Sequence, residues 1–451
     1  MRYFAHDQQS LDHMLKTIKR NNIDELFSSI PNNARFMREL NLPKALDELH
    51  MKRELAPLAK PFPFISFLGA GAIQHFVPEW IYQQLKRAEW YTSYTPYQAE
   101  ASQGGLQAIF EFQSMVASLL GLPIANASMY DGATALMEAL LMAARITSKR
   151  TIIISSAVHP EYRETVFTYL RSADLLVLEV DFDETGTTDT QKLNNLCDEV
   201  GDDLAAVAVQ SPNFFGLIED LSPIKALAQR YGALLIGAIT DVSAASIIGS
   251  LGRAGADIAV GEGLGLLGGL SLGGPGVGLF ACKQEYLRQM PGRLVGKTTD
   301  KNNNDGYVLT LSTREQHIRR ERATSNICTN HNLMALALSM TLTAYGRSGF
   351  IELGKKNLKK TLYFRRRLTD NGLKIAFPGP HYNETVIRFD NENTMHGRTQ
   401  IARRHHILAG LDLMRFFPTL RGHLLVATTE LHEDHHIHLL ADILSGKYDE
   451  S

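Results

Sequence analysis

The sequence predicts an α/β protein, with a large domain on a mostly parallel sheet and a smaller C-terminal α+β domain. Three observations carry this. Residues 151–260 alternate short apolar runs with amphipathic stretches, a glycine-rich run (Gly261–Gly278) follows them, and residues 331–451 change to long helical stretches followed by strand-like ones. Apolar strands alternating with helices imply a parallel sheet covered on both faces.

At 451 residues the chain has room for about two or three domains. A net charge of −2 argues against nucleic acid as a bulk partner, because a domain that grips phosphates is usually strongly basic. Cys197, Cys282 and Cys328 share no motif spacing, which speaks against a disulfide framework or a zinc cage and fits a reducing compartment. The start, MRYFAHDQQSLDHMLK, lacks an apolar signal core, and no apolar run reaches the ~20 residues a membrane span needs, so the expected location is cytoplasmic.

Residues 1–60 read as an N-terminal helical extension. Asp7 before LDHMLKTI is a capped amphipathic turn, and Pro31 and Pro43 are breaks. Residues 61–330 form the large domain and residues 331–451 the C-terminal one. After a helix at Glu79–Glu89 comes WYTSYTPYQAEASQGG, where Tyr91, Tyr94 and Tyr97 fall at every third residue beside Thr95, Gln98, Glu100 and Gln103. A segment this rich in hydroxyls and amides is a candidate site loop, or else a buried loop whose polar groups satisfy one another. Leu106–Leu120 is an amphipathic helix with Ile109, Phe112, Val116 and Leu119 on one face. In YDGATALMEALLMAAR, Asp131 is a good N-cap. Behind it Gly132, Ala133 and Thr134 are small, leaving backbone N–H groups within reach of a phosphate.

Strands are expected at TIIISSAV, DLLVLEV, LAAVAVQSP and ALLIGAITD, with a further one in Gly255–Val260. In open α/β sheets, ligands sit beyond the carboxyl ends of the strands. His159, Asn213 and Asp241 fall at such ends; each alone reads as a satisfied structural residue, and together with the glycine run they are candidates to line one crevice. Nine of the eighteen residues in Gly261–Gly278 are glycine, which suggests a close approach to the backbone. Gly263, Gly265 and Gly268 satisfy G-x-G-x-x-G, but the run continues into GGLSLGGPGVG, where no helix can form, so a dinucleotide fingerprint is not expected. Arg314, Arg319, Arg320 and Arg322 read as a solvated helix face, with a carboxylate-binding arginine as the sharper alternative. Long helices are expected at His331–Tyr345 and Ile351–Thr369, and a closing helix at Glu433–Leu444. His432, His435 and His436 have a metal-capable spacing, but the apolar face of Ile437, Leu440, Ala441 and Leu444 turns them to solvent, so no metal is expected there or at His405–His406.

This layout matches a fold type I pyridoxal-phosphate-dependent transferase, with a mostly parallel sheet of the seven-stranded type. The segments YTPYQAEASQG, NASMYDGATALMEA, SSAVHPEYRETV, QSPNFFGLIED, the glycine run and REQHIRRERATSNICTN resemble the glycine dehydrogenase (decarboxylating) family, the P protein of the glycine cleavage system. The likeness is to its subunit 1 branch, the amino-terminal half where the protein is split over two chains. It implies that glycine is decarboxylated on pyridoxal phosphate, whose ring is the electron sink, and that the aminomethyl group passes to the lipoyl arm of the H protein.

In the cofactor-bearing half of the family a Schiff-base lysine precedes a glycine-rich run. The corresponding place here is Leu264–Gly265, and no lysine occurs between Lys225 and Lys283. The resemblance therefore implies a subunit with no covalent cofactor and no catalytic residue acting alone, in an α2β2 assembly with a lysine-bearing subunit 2. Tyr94, Thr95, Tyr97 and Glu100 are expected to reach the partner's site, and Gly132, Ala133 and Thr134 to be a remnant phosphate site. His159 falls where such enzymes stack a histidine on the cofactor ring, and Asp241 where they pair an aspartate with the pyridine nitrogen. A self-sufficient enzyme using Lys283 or Lys297, and a purely structural scaffold, are the alternatives.

Overall fold

The computed structural model describes residues 6–59, 62–90, 94–270 and 273–448. They form two units, one ending at Phe62 and the other beginning at Pro63. In the first, α1 (Gln8–Thr17) is capped by Asp7, whose carboxylate accepts the Ser10 N–H at 2.8 Å. Helix α2 (Glu48–Leu55) is capped in the same way by Asp47. Among the described residues of this unit, Leu15 is the single buried hydrophobic side chain.

The second unit begins with β1 (Ile65–Ser66), α3 (Glu79–Leu85) and α4 (Gln103–Leu120). The main sheet contains β2 (Ile124–Ala125), β3 (Thr151–Ser155), β4 (Leu176–Val180), β5 (Leu204–Gln210), β6 (Leu234–Ile239), β7 (Ile258–Glu262) and β8 (Gly278–Cys282). Among the described residues these seven strands lie in the order β2–β8–β7–β6–β5–β3–β4. Strands β3 to β7 run parallel, and β8 and β2 close one edge antiparallel. Helix α5 (Gly132–Thr147) precedes β3, and α6 (Pro160–Leu170), α7 (Thr190–Val200) and α8 (Leu221–Arg230) are the crossovers between the parallel strands.

Alternation along β3 shows why both faces are dry. Ile153 joins Phe112 and Val116 of α4 on one side, while Ile152 and Ile154 join Leu136 and Leu140 of α5 on the other. The expected alternation from β3 to β7 is therefore observed, with the ends displaced by a few residues. The glycine run does not form a helix: β7 ends at Glu262, one 3₁₀ turn spans Leu264–Leu266, and β8 starts at Gly278. Ser271 and Leu272 within that run lie outside the described residues.

Strands β9 (Leu294–Thr299) and β10 (Asp305–Thr310) pair as a hairpin over the polar turn at Asn302. The C-terminal part holds a second sheet in the order β11 (Lys374–Ile375), β12 (Glu384–Arg388), β15 (His423–Ala427), β14 (Leu411–Asp412), while β13 (Ile407–Leu408) pairs with β1. The two long helices expected here are present within Asn332–Asp370, separated at Gly346, whose φ of 59° and ψ of 179° are non-helical values that a glycine backbone adopts freely.

One expectation fails outright. His432 is buried rather than solvated: its ring stacks on Phe67 at 3.9 Å, and its Nε2 lies 2.8 Å from the Ser66 carbonyl. It precedes the helix Asp434–Ser445, so that helix's amphipathic pattern does not govern it. His435 is exposed, as read, whereas His436 is half-buried. No helix among the described residues is long and apolar enough to cross a membrane.

Candidate functional site

Strands β6 and β7 end side by side beneath the start of α5, and three elements of different origin converge there. Helix α5 begins at a full capping box: the Asp131 carboxylate accepts the Thr134 N–H at 2.8 Å, and the Thr134 hydroxyl answers the Asp131 N–H at 3.3 Å. The Gly132 N–H remains pointing outward, the orphan donor that a helix start offers to an anion. The anion it receives is Glu262, the last residue of β7. Its Oε2 accepts the Gly132 N–H at 2.9 Å, and its Oε1 accepts the N–H groups of Leu264 at 2.8 Å and Val277 at 3.0 Å. Burial pushes this carboxyl up to about 7, against the pull of those three donors.

The glycines around this seat are tight. A Cβ at Gly132 would meet the Tyr162 hydroxyl at 2.1 Å, and one at Gly276 would meet Glu262 at 2.9 Å. At Gly265 a Cβ would meet the Ile73 carbonyl at 2.8 Å. The glycine run thus serves close approach to the chain's own groups.

At the other end of the crevice Asp241 caps a short turn through the Ser243 N–H at 2.9 Å and accepts from Asn383 Nδ2 at 2.6 Å. His75 lies between two carboxylates, with Nε2 3.1 Å from Asp241 and Nδ1 3.0 Å from Glu430. Burial alone would push this imidazole down. The two carboxylates outweigh it and raise the group to about 10, so it is an imidazolium at neutral pH. Between Asp241, Glu262, Ile73 and Leu266 no volume remains for a water molecule.

His159 caps α6, with Nδ1 accepting the Glu161 N–H at 3.2 Å and Nε2 3.0 Å from the Ala70 carbonyl. Asn213 is fully buried, donates to Glu219 at 2.9 Å and accepts from the Phe215 N–H at 3.0 Å. It organises its own loop and does not join the crevice, so for Asn213 the structural alternative holds. An amide with three backbone partners (the Gly186 carbonyl and the Phe215 and Leu217 N–H groups) and the Glu219 carboxylate is satisfied where it stands.

In the site loop, Tyr91 lies outside the described residues. Tyr94 is 78% exposed and Tyr97 61%, Glu100 is also exposed, and Thr95 is half-buried with its hydroxyl unpartnered among the described residues. Gln103 anchors the loop to β10, donating to the Tyr307 carbonyl at 2.8 Å and accepting the Tyr307 N–H at 2.9 Å. Sequence reasoning missed Arg293, a buried cation 5.8 Å from the Tyr97 ring centroid. A charged residue between Pro291–Gly292 and the apolar start of β9 was its only signal. Arg314 is held by the carbonyls of Met290, Leu311 and Gly292, whereas Arg319, Arg320 and Arg322 are exposed, as a solvated face requires.

The sequence matches the glycine cleavage system P-protein family over residues 1–444. The chain belongs to that family. It is 45% identical over 450 residues to the probable glycine dehydrogenase (decarboxylating) subunit 1 of Carboxydothermus hydrogenoformans, covering 99% of this chain and 100% of the relative. The Sorangium cellulosum protein of the same name is 44% identical over 456 residues, covering 99% of each chain. Among solved structures, an inhibitor-bound glycine decarboxylase (P-protein) of the glycine cleavage system superposes with a TM-score of 0.82 at 36% identity, covering 99% of this chain and 100% of that one. A cysteine desulfurase from Thermococcus onnurineus, at 14% identity and a TM-score of 0.59, shares the fold, covering 90% of this chain and 99% of that one. The fold is therefore that of the fold type I pyridoxal-phosphate enzymes.

The residues of this P-protein family member do not fit that cofactor. Leu264 and Gly265 offer no amine, the anion seat of α5 already holds a carboxylate, and Asp241 is engaged by His75 and Asn383. The alternative lysines are elsewhere. Lys283 pairs with Asp257 at the opposite end of β7, about 16 Å away for a five-residue strand. Lys297 pairs with Asp305 at 2.7 Å on the β9–β10 hairpin.

Proposed function

We propose that this chain is a subunit of the glycine-decarboxylating P protein that holds no pyridoxal phosphate itself and completes the site of a lysine-bearing second subunit. In the assembled protein, an α2β2 complex in the cytoplasm, the partner binds pyridoxal phosphate covalently, glycine is decarboxylated there, and the aminomethyl group passes to the lipoyl arm of the H protein. The observation that carries the reading is the Glu262 carboxylate in the α5 anion seat, next to a strand end without a lysine. The subunit 1 naming of the full-length relatives supports a second P-protein subunit as partner. The exposed side chains of Tyr94, Tyr97 and Glu100, with Thr95 beside them, are the groups offered across the interface.

Borohydride reduction with pyridoxal phosphate, followed by mass analysis of each chain, tests this. The label is expected on the partner alone, and only the mixture is expected to develop the visible imine band. A label on this chain in isolation would overturn the reading, and the modified lysine would locate the true site.

A further inference from the structure

We infer that Glu262 is the residue that keeps phosphate-bearing ligands out of this chain's crevice, by acting as the built-in ligand of the anion seat at the start of α5. The inference rests on the reading that this chain carries no cofactor and explains how that state is enforced.

A capped helix start with a free N–H is a generic anion site, and alone it would say nothing about occupancy. Here the occupant is visible. The Glu262 carboxylate is more than nine-tenths buried and collects N–H donors from α5, from the turn after β7 and from the segment before β8. A buried carboxylate with three backbone donors is a satisfied group, whereas one lacking them would carry a large desolvation penalty. The surroundings are built to that occupant. Tyr162 closes over Gly132, and Gly276 is small enough for Glu262 to pass.

Because the crevice leaves no water-sized space beside the carboxylate, a phosphate monoester would have to displace it. A phosphate entering beside an unmoved Glu262 would find the three N–H donors already taken and, above about pH 7 where the carboxyl is ionised, like charge at close range in a poorly solvated site. Shortening this one side chain removes both the competing anion and the volume it fills, and leaves the Gly132, Leu264 and Val277 N–H groups without their acceptor.

The test compares wild type with Glu262→Ser, titrating inorganic phosphate, pyridoxal 5′-phosphate and pyridoxal as the phosphate-free control. Thermal shift and 31P NMR are the readouts. Wild type is expected to respond to none of them. Glu262→Ser is expected to bind phosphate and pyridoxal 5′-phosphate at least tenfold more tightly than wild type, with no gain for pyridoxal. Equal phosphate binding by both proteins, or no gain in the folded variant, overturns the inference.

Should Glu262→Ser fail to fold, Glu262→Gln keeps the volume and sets an amide against the Gly132 N–H. Hydrogen exchange at Gly132 is then expected to speed up at least tenfold in Glu262→Gln, and unchanged exchange overturns the inference. The outcomes separate from those of the parent reading. A borohydride-reducible imine on wild type alone defeats the absence of a cofactor. No imine together with no phosphate gain defeats only the role of Glu262.

Discussion

His75 is a cation that would ordinarily stay in water, yet it sits fully inside the protein between Asp241 and Glu430. Taking one member from such a buried arrangement leaves uncompensated charge and costs about 3–5 kcal/mol. His75→Ala is expected to lose that much in urea unfolding. The pH dependence follows from the direction of the shifts. His75 rises from 6.5 to about 10 on folding, so its contribution is complete below pH 6.5 and is lost as pH rises toward 10. Burial raises Glu262 from 4.5 to about 7, and Glu384, whose Oε1 accepts the Ala70 N–H at 2.7 Å, from 4.5 to about 8. Both act in the same sense: the folded chain binds protons that the unfolded chain has released, so stability falls as pH rises through these values. The urea midpoint of wild type is expected to fall between pH 6.5 and 9, and less steeply in His75→Ala. A midpoint that climbs over this window would contradict the buried imidazolium.

At the scale of elements, α5 and the loop before α4 divide the labour. Helix α5 turns its start inward and has it satisfied by the chain itself, whereas the loop turns Tyr94, Tyr97 and Glu100 outward. Tyr97 also stacks near Arg293 and meets the His317 ring edge-on at 6.0 Å, so it presents a pre-positioned phenol rather than a freely rotating one. If the loop completes the partner's site, Tyr97→Phe and Glu100→Gln are expected to lower turnover of the assembled complex at least tenfold, with assembly and partner labelling unchanged. Unaltered turnover in both would make the chain a scaffold. These elements also show what could be read from the residues. The α5 start was legible because Asp131 and three small residues form a local signature, and the strands were legible because apolar runs report burial on two faces. Glu262 was not, because one glutamate in a glycine run looks the same whether it meets solvent or a helix start 130 residues earlier in the chain. His75 and Arg293 escaped for the same reason: their partners are distant in sequence, and only the fold unites them.

For the whole molecule, the contrast between the two units carries the last expectation. From Pro63 onward the chain buries apolar side chains on both faces of its main sheet and in the C-terminal sheet. Up to Phe62 the situation reverses. Phe36, Met37, Leu40, Leu42 and Leu58 are between 57% and 79% exposed, with Leu15 alone buried among the described residues. A unit with one buried hydrophobic residue has little to offset its conformational entropy, and exposed apolar groups in such number would gain from being covered by a partner. Membership in a family whose relatives are named as subunits makes the second subunit the natural cover. Limited trypsin digestion of the isolated chain is therefore expected to cut first between Lys19 and Arg53, leaving a resistant fragment that begins at Glu54 with nearly the original Tm. In the presence of the second subunit, cleavage in that stretch is expected to slow at least tenfold. First cleavage within the sheet-bearing unit, or an unchanged rate with the partner bound, would mean that the N-terminal apolar residues serve neither folding nor assembly.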